Sequence, residues 1–230
     1  MARDLPVQHS SAYRLRRFIN WFPMGLTYAL LYMGRYNLTV SKNALGDLMT
    51  KEDFGIIFAV GTITYAFAFL INGPLTDRIG GKKAILIGAL GAAVMNTMMG
   101  LTIHHMLTAA NPAAFNLRLV FCFLYAGNMY FQSYGAVAIV KVNASWFHVR
   151  ERGIFGGIFG VLISLGLYFA FDWGAAIVEA TKAHVDTKLN FIQQALRTLV
   201  GAQGGTVDAV WWVFFVPAIL LGTFFIIELF

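Results

Sequence analysis

Residues 28–40 lie inside the first long apolar segment of the chain, and within them Tyr28, Tyr32, Arg35 and Thr39 recur at steps of four, three and four. That spacing sets all four on one face of an α-helix. The face is aromatic, hydroxyl-bearing and cationic, which suits the wall of a polar cavity. A guanidinium placed in hydrocarbon costs about 2.5 to more than 10 kcal/mol, depending on how its surroundings respond, so intramembrane arginines usually face inward and mark function. The group stays charged when desolvated and presents a rigid fork matched to the oxygens of phosphate or carboxylate. The competing reading has Arg35 snorkelling to the outer headgroups, since it lies past the midpoint of its segment. A second face, in the fourth apolar segment, carries Tyr125, Asn128, Gln132 and Gly135. Asn128 and Gln132 are suited to hydrogen-bond solute hydroxyls, and equally to bond neighbouring helices. Tyr65 and Asn72 in the second segment fit a similar cavity-facing role.

The elements that must hold these residues follow from composition. The chain has 230 residues, 58% hydrophobic and 12% charged, with a mean hydropathy of +0.66; soluble domains carry about 25% charged residues. The expected fold class is an all-α integral membrane protein, because apolar runs without alternation satisfy their backbone in lipid only as helices. Six spans are expected, at about 18–40, 54–71, 84–103, 119–140, 154–177 and 210–230, behind a polar tail at 1–17. Gly73 and Pro74 are expected to end the second span, and His104, His105 and Pro112 mark the turn after the third. The outer loop 178–209 contains a stripe of Leu189, Ile192, Leu196 and Leu199, which predicts a short amphipathic helix on the outer surface. The first segment is too long for a cleaved signal sequence and is not followed by a small-residue cleavage site. Gly156, Gly160 and Ser164 form a small-xxx-small seam expected to pack closely on another helix.

Loop charges predict orientation. Arg3, Arg14, Arg16, Arg17, Arg78, Lys82, Lys83, Arg150 and Arg152 fall on one side, nine against six on the other. The amino terminus is therefore expected in the cytoplasm. The formal net charge of +6 reflects basic loops and does not call for nucleic acid. The single Cys122 forms no internal disulfide. The final apolar run reaches Phe230 with Glu228 as its first polar group, as expected of the first part of a longer protein. The central parts of the spans hold no carboxylate, which favours an anionic solute and exchange of one anion for another. No nucleophile–base set and no metal-ligand cluster is legible, so neither an enzyme nor a cofactor is expected.

Two loop motifs carry a family resemblance. Gly73-x-Leu75-x-Asp77-Arg78-x-Gly80-x-Lys82-Lys83, between the second and third spans, resembles the signature of the major facilitator superfamily. Trp146, Phe147, His148, Val149, Arg150, Glu151, Arg152 and Gly153 form a second match after the fourth span. With Arg35, Gln132, Gly135 and Lys141 the chain resembles the organophosphate:phosphate antiporter group, over the amino-terminal half of such a carrier. The resemblance implies two three-helix repeats, a carboxy-terminal half-bundle as partner, and a monomeric multi-pass protein of the inner or plasma membrane. It implies exchange of a glycerol-phosphate or sugar-phosphate for inorganic phosphate by alternating access. Arg35 would bind the phosphate, with Tyr28, Tyr32, Asn128, Gln132 and Lys141 around it; Lys141 could instead merely reach the interface. Gly73, Asp77, Arg78, Gly80, Lys82, Arg150, Glu151 and Arg152 would serve conformational gating. Phe69 and Ile163 stand where that group has a lysine and a histidine, and Ala136 and Val137 replace its tryptophan–proline pair. Two other readings stay open: a proton-coupled symporter of another organic anion, and a transporter-like sensor of sugar phosphate.

Overall fold

The computed structural model describes residues 9–109, 116–201 and 207–230; Arg3 and Pro112 lie outside them. The described residues form helices and turns, with no strand among them. The long helices are α1 (Ser11–Leu45), α2 (Lys51–Ile79), α3 (Gly81–Thr108) and α4 (Leu117–Trp146). They are followed by α5 (Arg152–Tyr168), a π-helical turn at Phe169–Trp173, and α6 (Gly174–Ala180), which continue one another. A short α7 (Phe191–Val200) and the apolar α8 (Trp212–Leu229) complete the chain.

Local chemistry sets the helix ends. Ser10 and Asn116 cap α1 and α4 through their side chains, and Thr50 with Asp53 forms a reciprocal capping box at the start of α2, which satisfies amide donors that the first turn leaves free. The turn between α2 and α3 differs from expectation. Gly73 and Pro74 do not end the helix: α2 runs through Pro74 to Ile79 and stops at Gly80, whose φ of 87° suits glycine. Gly81 then lets α3 begin hard against α4, since a Cβ there would stand 2.6 Å from Val142 and 2.8 Å from the Ala138 carbonyl.

α4 packs against α2, α3 and α1, and α8 covers α3 and α1, while α5 lies along α1. Two apolar clusters fill the interior. One, with Met33, Met99, Phe121, Tyr125 and Phe214, lies toward the end of the bundle that carries the α1–α2 and α3–α4 turns. The other, with Leu31, Ile85, Ala89, Tyr134 and Leu221, lies toward the opposite end. Among the described residues four stretches are long and apolar enough to cross a membrane: Lys51–Ile79, Gly81–Thr108, Val149–Ala180 and Trp212–Leu229. α1 and α4 are as long, at 35 and 30 residues, but they carry most of the polar side chains of the interior. The expected amphipathic helix forms as α7. It is tied down by Arg197, which donates to the carbonyls of Ala180 and Lys182 at 3.3 and 2.8 Å, and it leaves Phe191, Ile192 and Leu199 exposed.

The small-residue seam finds no partner within the described bundle. A Cβ on Gly156 or Gly160 would meet nothing within 4 Å, so that face of α5 is open in the described bundle. The close approach is one helical face away, at Gly166. A Cβ there would lie 2.7 Å from the Ala29 carbonyl and 2.8 Å from Tyr32 Cβ. Backbone cannot yield as a side-chain tip can, so Gly166→Ala is expected to destabilise the bundle by about 1–3 kcal/mol. Gly160→Ala should be neutral or slightly stabilising for this bundle taken by itself, through helix propensity; thermal unfolding of the detergent-solubilised chain compares the two.

Candidate anion site

Arg35 points into the bundle and not to lipid or to the headgroups. Its Nε donates to Gln132 Oε1 on α4 at 3.0 Å. The guanidinium carbon lies 4.8 Å from the ring centre of Tyr32 and 4.5 Å from that of Tyr65 on α2. Its Nη2 is buried and has no hydrogen-bond partner. Each ring face contributes about 0.5–2 kcal/mol to holding a cation, and a charge-assisted hydrogen bond about 1.5–3 kcal/mol. These together offset the low end of the cost of an intramembrane arginine and fall short of the high end. Nη2 is the buried donor of this group that goes unmet.

The remaining polar residues form a chain behind Arg35. Gln132 Nε2 donates to Asn128 Oδ1 at 3.1 Å, and Asn128 Nδ2 donates to the Gly34 carbonyl on α1 at 2.9 Å. Asn96 on α3 donates to the same Asn128 oxygen at 3.0 Å, and Asn37 donates in turn to Asn96 Oδ1. Tyr125 donates to the Arg35 carbonyl at 3.2 Å. Asn96, Asn128 and Gln132 are wholly buried. Of the two readings the sequence left open for Asn128 and Gln132, the observed contacts are helix-to-helix, with Gln132 also touching the guanidinium. Asn37 and Asn96 were not singled out from sequence. The signal was available: an amide mid-span is costly without a partner.

Other expected site residues lie elsewhere. Tyr28 is buried, packed edge-on to Tyr32 and against Phe159, with Gly135 so close that a Cβ there would stand 3.0 Å from its ring. Asn72 does not line a cavity; it donates to Ser133 Oγ at 2.7 Å and ties α2 to α4. Lys141 is not beside Arg35. It follows Gln132 by nine residues, about 13 Å along the axis, and its Nζ lies 2.6 Å from Asp77 Oδ1. Thr39 lines a cavity of about 450 Å³ with Asn43, Phe171, Glu179 and Lys182. A second cavity, of about 330 Å³, lies by Asn20, Met24, Lys82, Trp146 and Glu228. Neither is lined by Arg35, Tyr28 or Tyr32. Glu228 is itself buried and accepts from Thr27 Oγ1 at 2.6 Å.

The loop motifs gather at the end of the bundle that holds the start of α1. Glu151 accepts from Arg17 at 3.1 Å and caps its own turn through the His148 amide at 3.2 Å. Arg152 donates to the carbonyls of Ala144 and Phe147 at 3.0 and 3.4 Å, where the end of α4 leaves acceptors free. Lys82 donates to the Leu229 carbonyl at 3.4 Å, joining α3 to α8. Arg78 and Arg150 are exposed at the same end, and Gly73 has open space where a Cβ would stand. Among the described residues no group of three His, Cys, Asp or Glu side chains could hold a metal ion.

The Major Facilitator Superfamily matches residues 24–230. The Membrane sensor protein UhpC of Salmonella typhimurium is 26% identical over 131 residues, 56% of this chain and 26% of that protein. The protein of the same name in Escherichia coli is 24% identical over 131 residues, 56% of this chain and 27% of its own length. The Glycerol-3-phosphate transporter of Bacillus subtilis is 27% identical over 172 residues, 70% of this chain and 36% of that protein. The aligned stretches therefore span well under half the length of these relatives. No solved structure matches the chain. A match that takes in nearly all of an all-helical chain with membrane-length apolar helices, and that includes the turn carrying Asp77 and Gly80, decides the matter: this chain belongs to the Major Facilitator Superfamily, a family of transporters and not of enzymes.

Proposed function

We propose that this chain is the amino-terminal half of a secondary transporter for an anionic organic phosphate, exchanged for inorganic phosphate by alternating access. The observation that carries the reading is Arg35: an inward-facing guanidinium between two tyrosine rings, with Nη2 buried and unpartnered. Tyr32, Tyr65 and Gln132 hold the cation, and Tyr28 supports Tyr32 from behind. The similarity to a glycerol-3-phosphate transporter supports the substrate class. The half-bundle comprises 18–230, with α1–α3 as one three-helix repeat and α4, the α5–α6 rod and α8 as the other, behind the cytoplasmic tail 1–17. The basic turns at the Arg17–Glu151 end support a cytoplasmic amino terminus.

Two faces support a carboxy-terminal half-bundle as partner of a carrier that is monomeric when complete. Gly55 and Gly73 on α2, and Gly153, Gly156, Gly157 and Gly160 on the α5 side, have nothing within 4 Å of an added Cβ. Glycine faces let another backbone come close. Rocking of one half against the other would then expose Arg35 to either side. Asp77, Arg78, Lys82, Arg150, Glu151 and Arg152, with Gly73 and Gly80 at the turn, lie where such rocking is resisted or released.

Counterflow in proteoliposomes loaded with inorganic phosphate, using the full-length polypeptide, tests the reading; the expected result is uptake of a labelled three-carbon or sugar phosphate that depends on internal phosphate. Arg35→Lys should raise KM for phosphate by about 10- to 100-fold, the equivalent of one charge-assisted hydrogen bond, and an unchanged KM would overturn the assignment. Asp77→Asn should lower the maximal rate severalfold at unchanged KM. It should leave membrane insertion intact, because an exposed ion pair is worth only about 0.2–1 kcal/mol. Lys141→Gln should likewise leave KM unchanged, because its side chain meets Asp77 and not the guanidinium. The similarity to two membrane sensors favours one further reading, ligand binding without flux. In that case the vesicles bind sugar phosphate and exchange none.

A further inference from the structure

Behind Arg35, the amide chain runs from α1 to α3 to α4 and back, and the orientation of each amide is fixed by its neighbours. Asn96 Nδ2 donates to its own helix at the Ala92 carbonyl, 2.8 Å, and to Asn128 Oδ1, 3.0 Å; its oxygen accepts from Asn37. An Asn96 flipped end for end would set its oxygen against two acceptors. Asn128 is fixed the same way, because its nitrogen donates to the Gly34 carbonyl and its oxygen receives two donors. Gln132 must therefore turn its nitrogen to Asn128, which leaves Oε1 facing Arg35 Nε. With Nε occupied, the two terminal nitrogens, Nη1 and the buried, unpartnered Nη2, are left for an incoming oxyanion.

The backbone is shaped for this relay. A Cβ at position 34 would stand 3.0 Å from Asn96 Nδ2, so glycine lets the α3 amide come up against α1 beside Arg35. Asn96 and Asn128 have no exposed surface, and Asn37 only 2%. Buried amides in membrane bundles stabilise when paired, and a linked set is worth more than its pairs taken alone.

We propose that Asn96 is a positioning residue for the anion ligand: through Asn128 and Gln132 it fixes the plane in which the Arg35 guanidinium meets an oxyanion. The inference rests on the reading of Arg35 as that ligand. Asn96 itself touches neither the guanidinium nor the solute; it acts through two intervening amides.

The experiment is a double-mutant cycle in the full-length polypeptide, reading KM for inorganic phosphate in counterflow and the rise in unfolding temperature that phosphate produces in detergent. Asn96→Ala is expected to raise KM about tenfold and to shrink the phosphate-induced rise, within the range measured for coupled contacts. In an Arg35→Lys background, which lacks the fork that Gln132 orients, Asn96→Ala should change KM by less than about twofold. A purely structural role would lower the unfolding temperature without phosphate and act equally in both backgrounds, and that result overturns the proposal. An unchanged KM in Asn96→Ala overturns it as well. If Arg35→Lys alone leaves KM unchanged, Arg35 is not the ligand and the inference falls with that reading. Should Asn96→Ala not reach the membrane, Asn96→Leu keeps the side-chain volume, removes the amide, and is read against the same two backgrounds.

Discussion

A guanidinium has five N–H donors and cannot shed its charge inside a protein, and the interior of this bundle is arranged around that demand. One donor is met by Gln132. The cation as a whole is met by two ring faces that hold it without fully hydrogen-bonding it. Nη2 is left over. A fully satisfied arginine would be a structural ion with little reason to release or accept anything. One with unspent donors keeps capacity for an acceptor, and a donor held in place beforehand lowers the cost of meeting one.

The two helices that build this arrangement are also the two that look least like membrane helices. α1 contributes Arg35, Tyr32, Asn37 and the Gly34 carbonyl, and α4 contributes Gln132, Asn128 and Tyr125. Neither is among the four stretches that qualify by length and apolarity. α2, α8 and the α5–α6 rod are apolar over much of their surface and shield the polar pair. α3 is the small-residue helix between them. Gly88 and Gly91 let α4 come close, to the point that a Cβ at Gly91 would overlap the Phe131 ring, and that closeness brings Asn96 within reach of Asn128. Polar chemistry is thus concentrated on one pair of helices, and packing density on their neighbours.

The bundle also separates its charges by level. Arg35 sits in the interior with amides and tyrosines. Glu151, Arg17, Asp77, Lys141 and Lys82 sit at one end, joining the start of α1 to the turn before α5, the end of α2 to α4, and the start of α3 to the end of α8. Low dielectric strengthens the interior contacts; at the end, Asp77–Lys141 is solvated and correspondingly weak, while Arg17 and Glu151 are partly buried.

The sequence by itself determined the membrane class, the order of the long helices with ends up to eight residues out, the surface helix at Phe191–Val200, and a cation on the cavity-suited face of the first segment. Each of these depends on local quantities: run length, hydropathy, periodicity, and the cost of a charge in hydrocarbon. Tertiary structure decided the rest. It carried α2 through Pro74, because a helix missing one hydrogen bond survives when neighbours pack along it. It moved the close glycine contact from Gly160 to Gly166, because which face of α5 meets α1 is set by the rotation of a whole helix. It joined Lys141 to Asp77, turned Asn72 to Ser133, and linked Asn37, Asn96, Asn128 and Gln132 into one chain. An amide written in a sequence states only that it needs a partner; which partner it finds depends on helices far apart in the chain lying side by side.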